Sequence, residues 1–377
     1  MRNFLFQNGK SNHNELILKH SYLTAGMRFG LLTRVLVRNK ISWNLKITVR
    51  ILFLFQSSVW SSIFAAVEHL RFHRKLKSFS GPRDPVFIIG HWRTGTSFLF
   101  KLMSLDDQFT APTLFQVAEP DSLLTSHSYY KPIMKALVKG TRPMDNVKMG
   151  VDEPQEDEYA IYRLTGDSPL EQLVFPSSGS YFLERWVEKM PRSGTNLELK
   201  KKIRDFFIKI QFHKSGKLLS KNPFHSFRIL MLREIFPEAR FIQIHRHPFN
   251  VVPSAINMWN ILQRENALNN DLHNHEVAEV CRVMKTLNER IIADTETLPA
   301  GVYTETRFED LEKDPVKIIR QIYSALGLTF SDRFEVKIIE YIEFNRNFRK
   351  NIFSLSEGDK SLILSELKDY MGKHSYS

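Results

Sequence analysis

Cysteine is nearly absent from this chain, because Cys281 is the only one among 377 residues. A single cysteine excludes an internal disulfide, whereas large secreted enzymes more often carry several. The sequence therefore favours a reducing compartment, and we expect a cytoplasmic protein. We also find no internal repeat, low-complexity tract or interdomain linker, so a repeat architecture is not indicated.

A basic excess is missing from most of the chain, although the formal net charge is +12. Residues 1–84 contain 14 Lys and Arg against three Asp and Glu, so they carry +11 and leave +1 for residues 85–377. Because the main part of the chain is nearly neutral, we expect no nucleic-acid partner. The charge boundary divides the chain into a basic helical N-terminal segment, residues 1–84, and a main domain, residues 85–377.

A long hydrophobic run is also missing. Residues 51–67 form an uncharged stretch of 17 residues, interrupted by Gln56 and four serines. A spanning helix needs about 20 apolar residues, so we expect that the stretch does not cross a membrane. Its distance from the N-terminus argues against a signal peptide. Two interpretations stay open: a helix lying peripherally on the anionic inner face of a membrane, or a helical hairpin packed on the main domain.

A glycine-containing loop follows a short apolar strand in PVFIIGHWRTGTS, residues 85–97, and leads into the helical sequence FLFKLM. Unpaired amides at a helix start carry partial positive charge, so such a loop can close its backbone around an anion. Gly90, Gly95 and Ser97 match the P-loop pattern GxxxxGK[ST], but Thr96 stands where the pattern has lysine. The sequence therefore predicts a phosphate-binding loop of unusual chemistry.

The missing lysine argues against a nucleoside triphosphatase or kinase. Such enzymes use that lysine on the β- and γ-phosphates and need an acidic Mg²⁺ partner at a strand end. No apolar strand of this sequence ends in a clear acidic ligand, whereas the loop gains a cation at Arg93. We therefore expect a phosphate-bearing donor handled without a metal, and a kinase with an altered loop is kept as an alternative.

Alternating strands and helices predict an α/β fold with three layers, αβα, around a central parallel sheet. Further strands are predicted at 218–222, ending near Lys221, at 239–246, and at 301–307. Helices are predicted at 196–213, 226–236 and 271–298, and residues 113–190 are expected to form the acceptor site. Ligands bind at the carboxyl ends of such strands, where the polar residues of this sequence lie.

Four motifs follow one another in the chain. RTGTSF occupies 93–98, SKNPFHSF places Lys221 before a helix, FIQIHRHPFNVVPS puts Arg246 eight residues before Ser254, and VYTETRFEDL spans 302–311. In type and order these motifs resemble those of the sulfotransferases that use 3′-phosphoadenosine 5′-phosphosulfate (PAPS). The loop is similar to bacterial members, and the order is similar to tyrosylprotein sulfotransferases. The resemblance implies a PAPS-dependent sulfotransferase with a P-loop-like fold, and it leaves the first 84 residues outside.

The resemblance also implies residue roles, because both ends of PAPS are oxyanions that need charge-assisted donors. Arg246 and Ser254 are expected to hold the 3′-phosphate. Arg93 and Lys221 are expected to stabilise charge on the transferred group and the bridging oxygen. The 5′-phosphosulfate is expected to be bound by Arg93, Thr94, Gly95, Thr96 and Ser97.

An acceptor hydroxyl needs a base, and the acidic sequence VDEPQEDE at 151–158 offers candidates. We choose Glu156, with Glu153 second, and His225 and His91 as further candidates. Pro154 is typical of a first helical turn, so most of these carboxylates are expected to be solvated caps of a helix beginning there.

Several positions depart from the family pattern. Asn222 replaces a frequent Asp after the lysine, and Thr94 and Ser97 exchange related hydroxyls. His247 stands where Asp commonly follows the arginine, which could alter the 3′-phosphate pocket. Phe98 falls where some members place an adenine-stacking Trp, although a place in the helix core is at least as consistent with its sequence.

The acceptor is predicted less sharply than the donor. The N-terminal segment and 29 phenylalanines favour a small-molecule or lipid hydroxyl, such as a sterol, while carbohydrate and tyrosine acceptors stay open. A nucleotide-binding module without catalysis is disfavoured because Arg93, Lys221, Arg246 and Ser254 are all present.

Overall fold

The computed structural model describes residues 23–138, 150–176, 187, 196–348 and 350–376. The predicted acceptor region, residues 113–190, therefore lies partly outside the described residues. All the predicted phosphate-loop, cofactor and base residues lie inside them.

A parallel sheet forms the centre of the molecule, as the sequence predicted. Its strands are β1 Val86–Ile89, β2 Phe109–Thr110, β3 Lys217–Lys221, β4 Arg240–His245 and β5 Tyr303–Arg307. The strands lie in the order β2-β3-β1-β4-β5, and each pairs in parallel with its neighbours. The chain passes from one side of β1 to the other between β3 and β4, which is where ligands bind in open α/β sheets.

Helices cover both faces of this sheet. In the described part of the chain they are α1 Phe29–Arg38, α2 Leu45–Lys77, α3 Thr96–Met103, α4 Leu114–Ala118, α5 Leu123–Leu137, α6 Glu158–Thr165, α7 Glu171–Val174, α8 Leu197–His213, α9 Ile229–Ile235, α10 Pro248–Asn266, α11 Val277–Thr295, α12 Phe308–Lys313, α13 Pro315–Ala325, α14 Asp332–Phe344, α15 Glu357–Glu366 and α16 Lys368–Lys373. Together with the sheet they form the predicted three layers.

The sheet divides the core in two because successive strand residues point to opposite faces. Val86 and Ile88 of β1 pack in a core with α3, α13 and α14. Phe87 and Ile89 face the opposite, larger core, which includes residues of α8, α10 and α11. A strand buried on both faces is apolar at every position, which explains the continuous run VFII.

The N-terminal helices belong to the larger core. Leu32 of α1 and Ile51 and Leu54 of α2 are buried in the same cluster as Phe87. Helix α2 is 33 residues long, nearly twice the uncharged stretch read from the sequence. By length and composition it could cross a membrane, although a third of its most apolar window is buried inside the protein.

Two predicted helices have different bounds. The helix predicted at 271–298 is shorter in the structure, because α11 begins at Val277. The sequence before it, NNDLHNH at 269–275, is mostly polar, and Asn and Asp side chains of this kind compete for backbone hydrogen bonds. The predicted helix 226–236 is a 3₁₀ turn, Pro223–Phe227, followed by α9. Asn222 favours that turn because its side chain accepts from the Phe224 N–H at 2.9 Å.

The expected helix start at Pro154 is wrong. Pro154 forms an isolated antiparallel bridge with Thr113, and α6 begins four residues later, at Glu158. Residues 152–157 therefore form a connection beside α4, which leaves their carboxylates available for partners elsewhere in the fold.

Candidate active site

The loop after β1 depends on two glycines. Gly90 has φ +134°, and a Cβ there would lie 2.5 Å from the carbonyl oxygen of Ile244. Gly95 has φ +100°, and its Cβ would lie 2.2 Å from the ring of Phe308. Any side chain at either position would be strained and would collide, so the loop can approach β4 and α12 this closely only with glycine. Gly95 ends the loop and caps α3.

Hydrogen bonds within the loop stabilise its conformation. Thr94 donates from both its hydroxyl, at 2.7 Å, and its backbone N–H, at 3.3 Å, to the carbonyl of His91. Thr94 and Thr96 are buried, while Gly95 and Ser97 are partly exposed. The geometry thus gives Thr94 a part in shaping the loop, and Ser97 is the loop hydroxyl open to a ligand.

Arg93, Arg246 and Ser254 meet, as the sequence predicted. Arg93 has φ +70°, an uncommon conformation for a non-glycine residue, and its Nε donates to the Ser254 hydroxyl at 2.9 Å. The Arg246 guanidinium donates to the Arg93 carbonyl at 3.3 Å and lies 4.3 Å from the ring centre of Phe308. Residues from two distant parts of the chain therefore converge near the ends of β1 and β4.

Two neighbouring arginines offer charge-assisted donors of the kind that anions accept. Burial is the main factor lowering the pKa of Arg246, and the positive charge of Arg93 lowers it further, while Glu309 and Glu312 oppose the shift. A bound anion would relieve this repulsion and desolvation, because it favours the charged form of both side chains.

Lys221 lies on the other side of the loop. In the register of the sheet Ile88 pairs with Lys221, so the end of β3 lies beside the beginning of the loop. The Lys221 side chain is 2% exposed. Its ammonium group donates to the Glu156 carboxylate and to the Ser97 hydroxyl at 3.2 Å. The predicted catalytic lysine, the predicted base and a predicted loop hydroxyl are therefore in direct contact.

Glu156 is held but accessible, with 17% of its side chain exposed. Glu153, the second candidate, pairs with Lys101 of α3 at 2.6 Å and is 45% exposed. Of the two carboxylates, Glu156 is the one in contact with Lys221.

The next two carboxylates form a buried network that the sequence did not predict. Asp157 accepts from the Ser220 hydroxyl at 3.0 Å and pairs with His225 at 2.8 Å. Glu158 accepts from the Asn222 amide at 2.8 Å and pairs with a fully buried arginine. Both carboxylates are fully buried, so the expectation of solvated caps is wrong for them. They fix the residues on either side of Lys221, and that arrangement places Glu156 beside it.

The Glu158 carboxylate keeps its charge because of that arginine, Arg228. Burial alone would raise its pKa, but the Arg228 charge and hydrogen bonds from Arg228, Ser168 and Asn222 outweigh burial and lower it. A buried carboxylate paired this way is costly to disturb.

Neither histidine candidate is placed to meet a substrate. His225 is fully buried between Asp157 and the edge of the Phe87 ring. His91 is 2% exposed, its Nδ1 lies 2.8 Å from the Trp92 carbonyl, and burial lowers its pKa to about 4. Both act in the packing around the loop.

The departures from the family pattern have local explanations. His247 caps α10, because its Nδ1 accepts from the Phe249 N–H at 3.2 Å, which is the task an Asp performs at such a position. Phe98 is half-buried and meets the edge of Phe308 at 6.4 Å.

Residues 85–332 match the model of the sulfotransferase family. The chain belongs to this sulfotransferase family. It is accordingly an enzyme that transfers a sulfuryl group, and the donor that such an enzyme implies is PAPS. The matched region begins at Pro85, where the main domain was predicted to begin.

Two proteins illustrate the relationship by sequence. The chain is 28% identical over 360 residues to a Mycobacterium tuberculosis (strain CDC 1551 / Oshkosh) protein named omega-hydroxy-beta-dihydromenaquinone-9 sulfotransferase Stf3, covering 94% of this chain and 91% of that protein. It is 24% identical over 289 residues to human carbohydrate sulfotransferase 5, covering 68% of this chain and 67% of that one. The Stf3 match includes most of the N-terminal segment.

The fold is also similar to a solved sulfotransferase. The crystal structure of STF9 from Mycobacterium avium superposes with a TM-score of 0.67 at 15% identity, covering 93% of this chain and 97% of that one. The predicted α/β fold is confirmed.

Proposed function

We propose that this sulfotransferase moves the sulfuryl group of PAPS to the hydroxyl of a lipophilic alcohol. The observation that carries the proposal is the contact of Lys221 with both Ser97 of the loop and Glu156. It brings a cation, an anion-binding loop and a carboxylate to one edge of the sheet, which is the set of groups that sulfuryl transfer to a hydroxyl needs.

In the proposed complex the donor lies across the ends of β1 and β4. Arg93 and the loop from Thr94 to Ser97 hold the 5′-phosphosulfate, and Arg246 and Ser254 hold the 3′-phosphate. The hydrogen bond from Arg93 to Ser254 supports this arrangement, because it brings residues assigned to the two ends of the donor into direct contact. The positive φ of Arg93 supports it too, since strained backbone clusters at binding sites.

These residues account for every bond and proton that changes in the proposed transfer. The acceptor oxygen forms a bond to sulfur while the bond from sulfur to the phosphate oxygen breaks, and 3′-phosphoadenosine 5′-phosphate leaves. The hydroxyl proton goes to the Glu156 carboxylate. Lys221 and Arg93 stabilise the negative charge that develops on the bridging oxygen, as in loose phosphoryl transfer.

A lipophilic acceptor is favoured by the similarity to Stf3, whose name specifies a hydroxylated dihydromenaquinone and which matches 94% of this chain. Carbohydrate sulfotransferase 5 covers less of the chain at lower identity, so a saccharide acceptor is the second candidate. We further place the enzyme at the inner face of a membrane, where lipophilic alcohols are found, and we propose that the reaction needs no metal.

The donor assignment is tested with labelled PAPS and ATP, each with and without a chelator. We expect transfer from PAPS that the chelator leaves unchanged; transfer of phosphate from ATP would overturn the assignment. Extracted lipids, sterols and glycans then serve as acceptors, and sulfation of glycans alone would exclude the lipophilic class.

The 3′-phosphate site is tested with Arg246→Ala. Losing charge-assisted hydrogen bonds to a phosphate should raise the Kd for PAPS about 10- to 100-fold. Because the arginine serves the 3′-phosphate, the Kd for adenosine 5′-phosphosulfate, which lacks that group, should change little. Arg320→Ala is the matched control, since Arg320 also lies 4.3 Å from a phenylalanine ring, that of Phe330. Equal losses with both ligands would contradict the assignment.

A further inference from the structure

Helix α2 buries polar as well as apolar side chains. Its buried side includes Ile51 and Leu54, but also Ser58, Ser61 and Glu68. Its exposed side carries large apolar side chains that are 43–84% exposed in the described part of the chain: Leu45, Val49, Leu52, Val59, Trp60, Ile63 and Leu70. We call these seven residues the apolar stripe.

The apolar stripe is continuous. At 100° per residue its members fall within about 100° of the helix circumference, and from Leu45 to Leu70 they extend about 38 Å. Gln56 is the one polar residue on that arc. An exposed apolar patch of this length marks a binding surface for an apolar partner.

The polar residues on the buried side of α2 fix this orientation of the helix. Ser61 donates to the buried Glu119 at 3.2 Å. Glu68 accepts from the N–H groups of Leu124 and Thr125 at 2.7 and 3.0 Å and pairs with Lys209 at 2.6 Å. Rotating the helix to bury the stripe would leave these groups unpaired, at a cost of about 1–3 kcal/mol each. The stripe therefore stays outward.

The charged residues around the apolar stripe indicate what kind of partner it binds. Between residues 16 and 83 the one carboxylate is Glu68, and it is buried against Lys209. Exposed basic residues lie at both ends of the stripe: Lys40 and Lys46 at its beginning, and Arg71, Arg74, Lys75 and Lys77 after it. Each basic residue near an anionic bilayer contributes about 1 kcal/mol, and an apolar stripe with basic flanks suits the boundary between headgroups and acyl chains.

We propose that the apolar stripe of α2 lies in the surface of an anionic bilayer, with Trp60 among the acyl chains and the flanking lysines and arginines at the headgroups. A second copy of the chain is a poorer occupant, because a symmetric pair would set one uncompensated basic surface against another. The inference rests on the proposed function in one respect: the bilayer would supply the lipophilic acceptor.

The test uses the full chain and two kinds of vesicle, one of phosphatidylcholine and one with about a third phosphatidylglycerol. We expect sedimentation with the anionic vesicles, weakened by 0.5 M salt, and little with the neutral ones. Leu52→Asp with Ile63→Asp should weaken binding at least tenfold. The matched control is Val336→Asp with Ile339→Asp, two residues of similar exposure on α14, which should bind as the unaltered chain does.

Several outcomes would overturn the proposal: equal binding to both vesicles, no effect of the Leu52 and Ile63 substitutions, or a dimer in sedimentation velocity that these substitutions dissociate. Circular dichroism and thermal unfolding check that the variants fold. Turnover of PAPS with a water-soluble alcohol, measured without vesicles, should be unchanged in them. Absent turnover with intact vesicle binding would refute the proposed function and leave the membrane surface standing.

Discussion

At the scale of single residues, the contact of Lys221 with Glu156 separates two chemical tasks. Lys221→Ala removes a cation from the developing charge, so we expect kcat to fall about 10²- to 10³-fold with a small change in the Kd for PAPS. Glu156→Gln removes the base, so kcat should fall about 10²- to 10⁴-fold. Single-turnover rates at saturating PAPS measure both losses.

Glu153→Gln is the matched control for the base. Glu153 is half-exposed and pairs with Lys101, so its substitution should lower kcat less than threefold. If Glu153→Gln instead causes the larger loss, the assignment of the base moves to Glu153.

The motifs that resemble the sulfotransferase family indicated which side chains belong to the site, but not the network that holds them. Arg93, Lys221, Arg246 and Ser254 stand in motifs whose order along the chain fixes their place at strand ends. The network around Asp157 joins residues 63–68 positions apart in sequence, and local periodicity carries no information about such pairs. The five carboxylates among residues 152–158, at the start of α6, were the available signal.

At the scale of elements, the C-terminal segment after α15 completes the binding edge. The hydroxyl of Tyr370 donates to the Arg246 carbonyl at 3.2 Å, and the His374 ring stacks on His245 at 3.9 Å. Burial above all, together with repulsion from His374, Arg307 and Lys373, lowers the pKa of His245 to about 3. Burial also lowers the pKa of His374 to about 4, against the opposing influence of Glu305.

These shifts predict that the segment detaches in acid. A histidine whose folded pKa lies below its unfolded value of about 6.5 stabilises the folded state fully above that value, and the stabilisation falls as pH drops toward the folded pKa. Hydrogen exchange of residues 368–376 should therefore be faster at pH 5 than at pH 7, after correction for the intrinsic rate. His374→Asn, which cannot take up a proton, should reduce the difference; unchanged pH dependence in that variant would refute the explanation.

The sequence predicted the bounds of an element well where a single pattern determined them. Apolar runs defined β3 and β4 within a residue or two, because burial on both faces demands such runs. The start of α6 was misplaced because Pro154, a favourable first-turn residue, is used instead in a bridge with Thr113. The sequence also did not predict which face of α2 is exposed, because composition cannot tell which side of a helix meets the core.

At the scale of the whole molecule, the basic N-terminal segment and the main domain share one core. Leu32, Ile51 and Leu54 are buried with Phe87 of the central strand and Trp259 of α10. Arg50 adds a hydrogen bond to the Ala267 carbonyl at 3.0 Å, at the end of the same α10. The helical hairpin interpretation and the membrane interpretation are therefore compatible, because α2 packs inward with one side and presents the apolar stripe with the other.

Removing residues 1–84 should therefore prevent the rest of the chain from folding stably. Each fully buried Leu or Ile contributes about 1.5–3 kcal/mol, so losing the buried residues of α1 and α2 removes on the order of 10 kcal/mol. That loss is comparable to the whole stability of a typical domain, about 5–15 kcal/mol. We expect residues 85–377 alone to aggregate. The matched control is a variant beginning at residue 23, because it keeps every described contact. This control should unfold in a single calorimetric transition. Recovery of 85–377 as a monomer with a cooperative transition of its own would instead mean that the charge boundary at residue 84 is also a folding boundary.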